Sequence, residues 1–266
     1  MNHLTTFVKD FPDGRQALAV RADSEVSAAA VAGALKLPAA RGVLLLSGGA
    51  GRMPNQALDH LSASFGAVGA VLAQEEVTVI DGGTQAGVMA LMGEALARAG
   101  RTAPHLGVLP AQAEVEPGGP RGEDTLEPHH SHFVLLDSDQ WGAESQLMSD
   151  LASYLAGQAS SLVLLASGGD VALLDIECNV RQGREIVVLA GSGRLADEIT
   201  DAVRDGERAI GDREAEATGL HSSFEPSERQ QRVAAVARKG HITLFDLSEP
   251  PAELATLIRQ RLTRRE

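Results

Sequence analysis

The chain has 266 residues, a formal net charge of −13, 44% hydrophobic residues and 3% aromatic residues. This length is enough to bury one large core, and the few aromatic residues predict that Val, Leu and Ala build it. The acidic balance argues against nucleic-acid binding through a general basic surface, because phosphate contacts need clustered Lys and Arg. The single cysteine, Cys178, excludes an internal disulfide framework. With no signal-like N-terminus and no long apolar run, the sequence predicts a cytoplasmic protein.

Short aliphatic runs alternate with amphipathic or alanine-rich segments along the chain. The runs predict strands at 17–20, 42–47, 77–81, 106–110, 133–137, 161–167, 185–190 and 242–247. The longer segments predict helices at 24–37, 55–73, 87–99, 143–156, 170–182, 195–204, 229–238 and 251–264. Most of the strands are continuously apolar, which is typical of strands covered on both faces. The alternation predicts one α/β domain over 1–266, with a doubly wound, mainly parallel sheet and helices on both faces.

Two stretches interrupt this alternation. Residues 111–128 are rich in Pro, Gly and Glu, and residues 205–228 are polar and charged. Both are expected to form surface excursions. The first 40 residues are interpreted as a strand–helix extension of the same domain.

Four of the predicted strands end in glycine-bearing turns that lead towards a helix. They read "LLLSGGAGRM" (44–53), "VIDGGTQAGVM" (79–89), "LLASGGDVALLD" (164–175) and "VLAGSGRLAD" (188–197). The carboxyl ends of parallel strands share one sheet edge, where glycine lets the backbone approach a ligand and helix N–H groups favour phosphate. The set predicts an anion site, although glycine can also serve the geometry of short turns alone. The absence of a Walker A motif, and of G-x-G-x-x-G in the first turn, disfavours P-loop and standard NAD dehydrogenase functions.

In their order and spacing these segments resemble the prokaryotic branch of the LSDAT group in the SLOG superfamily of nucleotide-sensing, Rossmann-like domains. Its eukaryotic relatives are the cytosolic N-terminal domains of melastatin-type TRP channels. The resembling segments are "LLLSGGAG" (44–51), "VIDGGTQAGVMALMGEAL" (79–96), "HSHFVLLDSDQWGAESQL" (130–147), "SGGDVALLDIECNVRQG" (167–183) and "IVVLAGSGRLADEI" (186–199). The resemblance implies a non-catalytic sensor that requires no cofactor and binds ADP-ribose, cyclic ADP-ribose, NAD or a nucleoside phosphate. It also implies a homo-oligomer that reports to an effector or membrane protein.

The resemblance implies ligand contacts from all four turns. The residues concerned are Gly48, Gly49, Gly51 and Arg52, then Gly82, Gly83 and Thr84, then Gly168, Gly169 and Asp170, and finally Gly191, Ser192, Gly193 and Arg194. In "DSDQWGAES" (137–145), Trp141 is expected to stack on a base and Glu144 to bond a ribose hydroxyl. The alternative is that Asp137 and Asp139 cap the helix and Trp141 packs in the core.

A second candidate function is hydrolysis of a nucleotide ribosyl bond. Phosphoribohydrolases of the superfamily carry P-G-G-x-G-T-x-x-E, whose glutamate acts on that bond. The corresponding "SGGDVALLD" (167–175) lacks the later glycine and the threonine. It places Asp175 at the glutamate position, with Glu177 two residues on, so either would be the carboxylate.

The segment "EPHHSHF" (127–133) contains His129, His130 and His132. In an extended strand His130 and His132 would point to one face and could share a metal with Glu127, Asp137 or Asp139. Packing at a strand entry is the favoured interpretation, so no metal site is predicted. The start of this strand is expected to lie at the sheet edge away from the ligand.

Overall fold

The computed structural model of the chain describes residues 4–49, 55–111, 126–212 and 226–263. The strands in these ranges are β1 Thr5–Asp10, β2 Gln16–Asp23, β3 Val43–Gly49, β4 Thr78–Asp81, β5 His105–Pro110, β6 His132–Asp137, β7 Ser161–Ser167, β8 Glu185–Ala190 and β9 His241–Asp246. The helices are α1 Ala28–Ala34, α2 Asn55–Gln74, α3 Gly87–Arg98, α4 Ser145–Ala156, α5 Asp170–Arg181, α6 Arg194–Asp212, α7 Glu228–Lys239 and α8 Pro251–Thr263. Within the described ranges, no helix combines the length and apolar character needed to cross a membrane.

All nine described strands join one sheet in the order β1-β2-β6-β5-β4-β3-β7-β8-β9. Every neighbouring pair is parallel except β1 with β2. The predicted α/β fold with a mainly parallel sheet is therefore confirmed. The sequence prediction missed β1, because "TTFVKD" has no continuous apolar run and remains exposed or half-buried at the edge of the sheet.

Successive residues of the central strands enter apolar layers on opposite faces of the sheet. In β3, Val43 and Leu45 face the layer beneath α1, α4, α5, α6 and α7, whereas Leu44 and Leu46 face the layer beneath α2, α3 and α8. This two-sided burial explains why the strands read as uninterrupted aliphatic runs. It also confirms helices on both faces.

The order in which the chain adds strands to the sheet reverses between β3 and β7, although the two strands are parallel. From β3 the chain proceeds outward through β4 and β5 to β6, and then returns to β7 on the other side of β3. Open α/β sheets bind ligands at such a switch point, outside the carboxyl ends of the strands. The two strands approach closely there: Gly48 has φ 148°, and a Cβ on it would lie 2.0 Å from the carbonyl oxygen of Ala166.

The two predicted excursions need correction where the structure describes them. Leu126 and Glu127, at the end of the first, are 5% and 2% exposed, and Leu126 forms an antiparallel bridge with Thr84. The second begins as regular structure, since α6 continues to Asp212. Residues 112–125 and 213–225 lie outside the described residues.

Candidate functional site

A cavity of about 380 Å³ lies at the carboxyl ends of β3, β4 and β7, at the switch point of the sheet. Its wall combines residues from three of the four glycine turns with Arg194 from the fourth. The predicted ligand residues in its wall are Gly48, Gly49, Gly82, Thr84, Trp141, Glu144, Gly169, Asp170 and Arg194. Sequence reasoning missed other lining residues, which include Ser47, Met89 and Met148. Gly51 and Arg52 are outside the described residues.

The fourth turn contributes less to the cavity than expected. Gly191, Ser192 and Gly193 do not line it. The Gly191 N–H donates to the Asp197 carboxylate at 2.7 Å, and the Ser192 hydroxyl donates to the Leu189 carbonyl at 2.6 Å. In the predicted phosphate cradle, an acid in the first turn of α6 therefore takes the Gly191 amide.

The N-terminus of α5 lies in the wall of the cavity. Gly169 is the N-cap without a side-chain cap bond, and the first helical hydrogen bond runs from the Leu173 N–H to the Gly169 carbonyl. The first-turn residues Asp170, Val171 and Ala172 line the cavity. Amides and the helix dipole at this position favour an anion.

Arg194 adds a positive charge at the same place. A Cβ on Gly169 would lie 2.7 Å from an Arg194 guanidinium nitrogen, so glycine lets the guanidinium rest on the turn. The Asp170 carboxylate, at the tip of α5, forms an ion pair with Arg229 of α7. Arg229, which also pairs with Glu198, therefore offsets part of the Asp170 charge that would oppose an anion at this helix end.

Two carboxyl groups form another part of the cavity wall. Both Asp175 oxygens accept hydroxyl donors, from Ser47 at 2.7 Å and from Ser145 at 2.5 Å. Burial raises the pKa of Asp175 to about 6. Burial, with a smaller contribution from nearby Asp175, raises the pKa of Glu144 to about 7, while a carboxylate oxygen of Glu144 accepts the Gly142 N–H at 2.8 Å. Both acids therefore have pKa values near neutral pH, and such shifted pKa values are typical of functional clefts.

Glu177 does not share this position. Its carboxylate forms two hydrogen bonds with the Arg232 guanidinium of α7, at 2.7 and 2.8 Å, and it does not line the cavity. Of the two acids considered for hydrolysis, only Asp175 lies in the cavity wall.

Trp141 lies in the cavity wall and is 41% exposed, so the alternative that it packs in the core is wrong. The capping alternative is also wrong. The N-cap of α4 is Glu144, which makes no side-chain cap bond, and neither Asp137 nor Asp139 occupies that position.

A buried cluster of acids and histidines lies beside the second glycine turn. His130 Nε2 is 2.9 Å from Asp81 Oδ1, and His130 Nδ1 is 2.9 Å from Glu127 Oε2. His105 Nε2 is 2.8 Å from the other oxygen of Asp81, and the two imidazole rings stack with centroids 3.5 Å apart. His129 Nδ1 pairs with the other carboxylate oxygen of Glu127, Oε1. The roles of Asp81 and His105 were missed because these contacts join residues far apart in sequence.

These histidines were expected to lie away from the ligand edge; His130 does not line the cavity, but it contacts the Asp81 side chain at the end of β4. β4 ends at Asp81, which pairs with Gly107, and the preceding Leu106 pairs with His132. The carboxyl end of short β4 is thus nearly level with the start of β6. His130 and His132 also do not act together, since the His132 ring bonds to the Ser131 hydroxyl at 2.8 Å.

Asp81, His105 and His130 place three possible metal-ligand atoms within 4.8 Å of one another. The contacts fit hydrogen bonds better than a metal, because each Nε2 has its own carboxylate oxygen. A metal-bound histidine usually donates its other ring N–H to an acceptor, but the buried Nδ1 of His105 has no partner among the described residues. If His105 is neutral and carries its proton on Nε2, that proton binds Asp81. Nδ1 then has no proton to donate, and only its lone pair lacks a partner among the described residues.

Burial and the neighbouring His130 lower the pKa of His105 to about 4. Burial also disfavours the charge on His130, but the contacts with Asp81 and Glu127 outweigh it and raise the pKa of His130 to about 9. Burial opposes ionisation of Asp81, yet the two histidines hold its pKa well below the usual range. At neutral pH the cluster therefore contains an imidazolium between two carboxylates.

Comparison with known proteins agrees with this architecture. Transient receptor potential cation channel subfamily M member 2 from Mus musculus and from Rattus norvegicus are each 28% identical over 107 residues, covering 35% of this chain. The match spans only 7% of each channel sequence. The X-ray structure of TM1055, a structural-genomics target, covers 82% of this chain and 99% of its own with a TM-score of 0.50. At 19% identity it shows a shared fold.

The family model described as "SLOG in TRPM, prokaryote" matches residues 41–256. This range contains β3 to β9 and every residue identified in the cavity wall. The match covers most of the chain and confirms the resemblance that the glycine turns indicated. The chain therefore belongs to the family of SLOG domains in TRPM, in its prokaryotic branch.

Proposed function

We propose that the cavity reversibly binds ADP-ribose or a related nucleotide signal, with the diphosphate at the N-terminus of α5. The observation that carries the proposal is that the first turn of α5 and the guanidinium of Arg194 lie in the wall of one cavity at the switch point. Backbone amides would bind the phosphate oxygens and Arg194 would supply the charge. Membership of a SLOG family supports a nucleotide as the ligand class.

The remaining cavity wall suits the nucleoside part of such a ligand. Trp141 is exposed towards the cavity and would stack on the base, while Glu144 would accept a ribose hydroxyl. The volume of about 380 Å³ lies in the range of small-molecule sites. We further propose that the protein assembles as a homo-oligomer and relays occupancy to an effector or membrane protein.

The Arg194→Ala variant tests the proposal. Loss of charge-assisted hydrogen bonds worth about 1.5–3 kcal/mol should weaken ADP-ribose binding about 10- to 100-fold in isothermal titration calorimetry. Arg208→Ala is the matched control, because it removes the same charge from α6 at an exposed pair with Asp205. Unchanged affinity in Arg194→Ala, or no wild-type binding at millimolar concentrations, would refute the proposal.

A second candidate function is hydrolysis of the ribosyl bond, favoured by the presence of both Asp175 and Glu144 in the cavity wall. Protonated Glu144 would give its proton to the leaving base, and Asp175 would stabilise positive charge on the sugar. Water adds its hydroxyl to C1′ as the bond to the base breaks, and its remaining proton restores Glu144.

Chromatography after incubation with ADP-ribose, cyclic ADP-ribose, NAD and nucleoside monophosphates separates the two candidates. Intact nucleotides argue against hydrolysis, and binding is then read from the calorimetry. A released base that disappears in Asp175→Asn but persists in Glu177→Gln, on the same helix and outside the cavity, supports hydrolysis.

A further inference from the structure

The backbone N–H and carbonyl of Gly83 bind Asp81 and Glu127, and both of these acids bind His130. Its N–H donates to Asp81 Oδ1 at 2.7 Å, and its carbonyl accepts the Glu127 N–H at 2.9 Å. Asp81 and Glu127 both bind His130, through Nε2 and Nδ1 respectively. Gly82 and Thr84, on either side of Gly83, line the cavity.

We propose that His130 is the positioning residue of the nucleotide cavity: its imidazolium binds Asp81 and Glu127 together and thereby fixes the Gly82–Thr84 turn in the cavity wall. The inference rests on the proposed function for the identity of the ligand. His130 does not itself line the cavity and acts through the two acids.

The positive charge on His130 is central to this arrangement. The side chains of Asp81 and Glu127 are 0% and 2% exposed, so leaving both carboxylates unpaired would be costly. Both ring nitrogens of His130 face a carboxylate, and an imidazole donates from both nitrogens only when it is charged. His105 binds the second oxygen of Asp81 as a neutral ring, and His129 lies on the outer side of Glu127.

Strand pairing alone does not fix this turn. β4 ends at Asp81, and Gly83 has φ 64°, a conformation that glycine adopts readily. A Cβ on Gly83 would lie 2.9 Å from the Gly107 Cα and 3.1 Å from the Phe133 ring, so the turn sits directly on its neighbours. Displacement of Asp81 and Glu127 would therefore move Gly82 and Thr84 in the cavity wall.

The test compares His130→Gln with His132→Gln, which makes the same change two residues later at a half-buried ring that bonds to Ser131. His130→Gln should weaken ADP-ribose binding at least about tenfold and speed hydrogen exchange at the Gly83 amide by a similar factor. His132→Gln should change neither. Nitrogen-15 shifts of the wild-type His130 ring should show both nitrogens protonated at pH 7.5.

A variant that destabilises the fold elsewhere separates positioning from general stability. Arg184→Met removes a buried guanidinium that binds Ser149, Ser153 and Asn179 away from the cavity. It should lower Tm without changing ADP-ribose affinity. If His130→Gln lowers Tm but leaves both the affinity and Gly83 exchange unchanged, the positioning role is refuted.

Glu127→Gln provides the same readouts if His130→Gln does not fold, because it keeps the side-chain shape and removes one of the paired charges. Gly83 exchange needs no ligand. A wild type that fails to bind ADP-ribose would therefore refute the proposed function, whereas unchanged Gly83 exchange in a folded variant would refute the inference.

Discussion

Gly48→Ala is expected to lower the free energy of unfolding by about 3–5 kcal/mol, from a backbone conformation that favours glycine together with overpacking. Gly48 has φ 148°, and the added methyl carbon would lie 2.0 Å from the Ala166 carbonyl oxygen, which belongs to the backbone and cannot rotate away. β3 and β7 would have to separate at the switch point. Urea denaturation followed by circular dichroism measures the loss.

Gly49→Ala is the matched control for this change. A Cβ on Gly49 would meet no atom of the described residues within 4 Å, although Gly49 is adjacent in the chain and also lines the cavity. Its effect on unfolding should stay below about 1 kcal/mol, within the range of ordinary surface substitutions and glycine effects. Equal losses in the two variants would contradict the close approach of β3 and β7.

The unfolding free energy of Asp175→Asn is expected to increase relative to that of wild type as the pH rises from 4 to 8. Burial raises the folded-state pKa of Asp175 from 3.8 to about 6, which corresponds to roughly 3 kcal/mol. The favourable contribution of the protonated acid is full below about pH 3.8 and is lost as the pH rises through about 6. Asparagine does not ionise, so it avoids this loss.

The measurement is the difference in unfolding free energy between Asp175→Asn and wild type at several pH values. Rearrangement of the Ser47 and Ser145 hydroxyls around an amide adds an offset that does not depend on pH, so the pH-dependent part reports the buried carboxyl. Asp59→Asn removes a carboxylate from the exposed side of α2 and serves as the control. A flat pH dependence for Asp175→Asn would contradict a buried acid in the cavity wall.

Local patterns were sufficient for most of the sheet. Four of the predicted strands ended in glycine turns, and parallel pairing then brought three of those turns to one cavity because strand direction determines where each turn lies. β1 was missed because an edge strand does not need two apolar faces. The end of α6 was also missed, because the polar residues after 204 gave no apolar signal.

Side-chain partners were harder to predict than backbone elements. Asp197 takes the Gly191 amide, and nothing in "GSGRLAD" distinguishes this use from an anion site. The buried cluster of Asp81, His105, Glu127 and His130 depends on the short length of β4 and on contacts across three segments. Periodicity carries no information about such contacts, whereas Asp175 was identified from the resemblance to the hydrolase motif of the superfamily.

The segment that matches the family model, residues 41–256, depends on β2 to cover one edge of its sheet. The family match begins at residue 41, but β2 lies before it and pairs along the full length of β6 from Leu18 to Asp23. A chain cut at that boundary would leave a row of unsatisfied backbone donors and acceptors beside Phe133 and Leu135. An exposed strand edge of this kind can pair with another molecule and aggregate. The residues before the family match therefore cover the edge that β6 would otherwise expose.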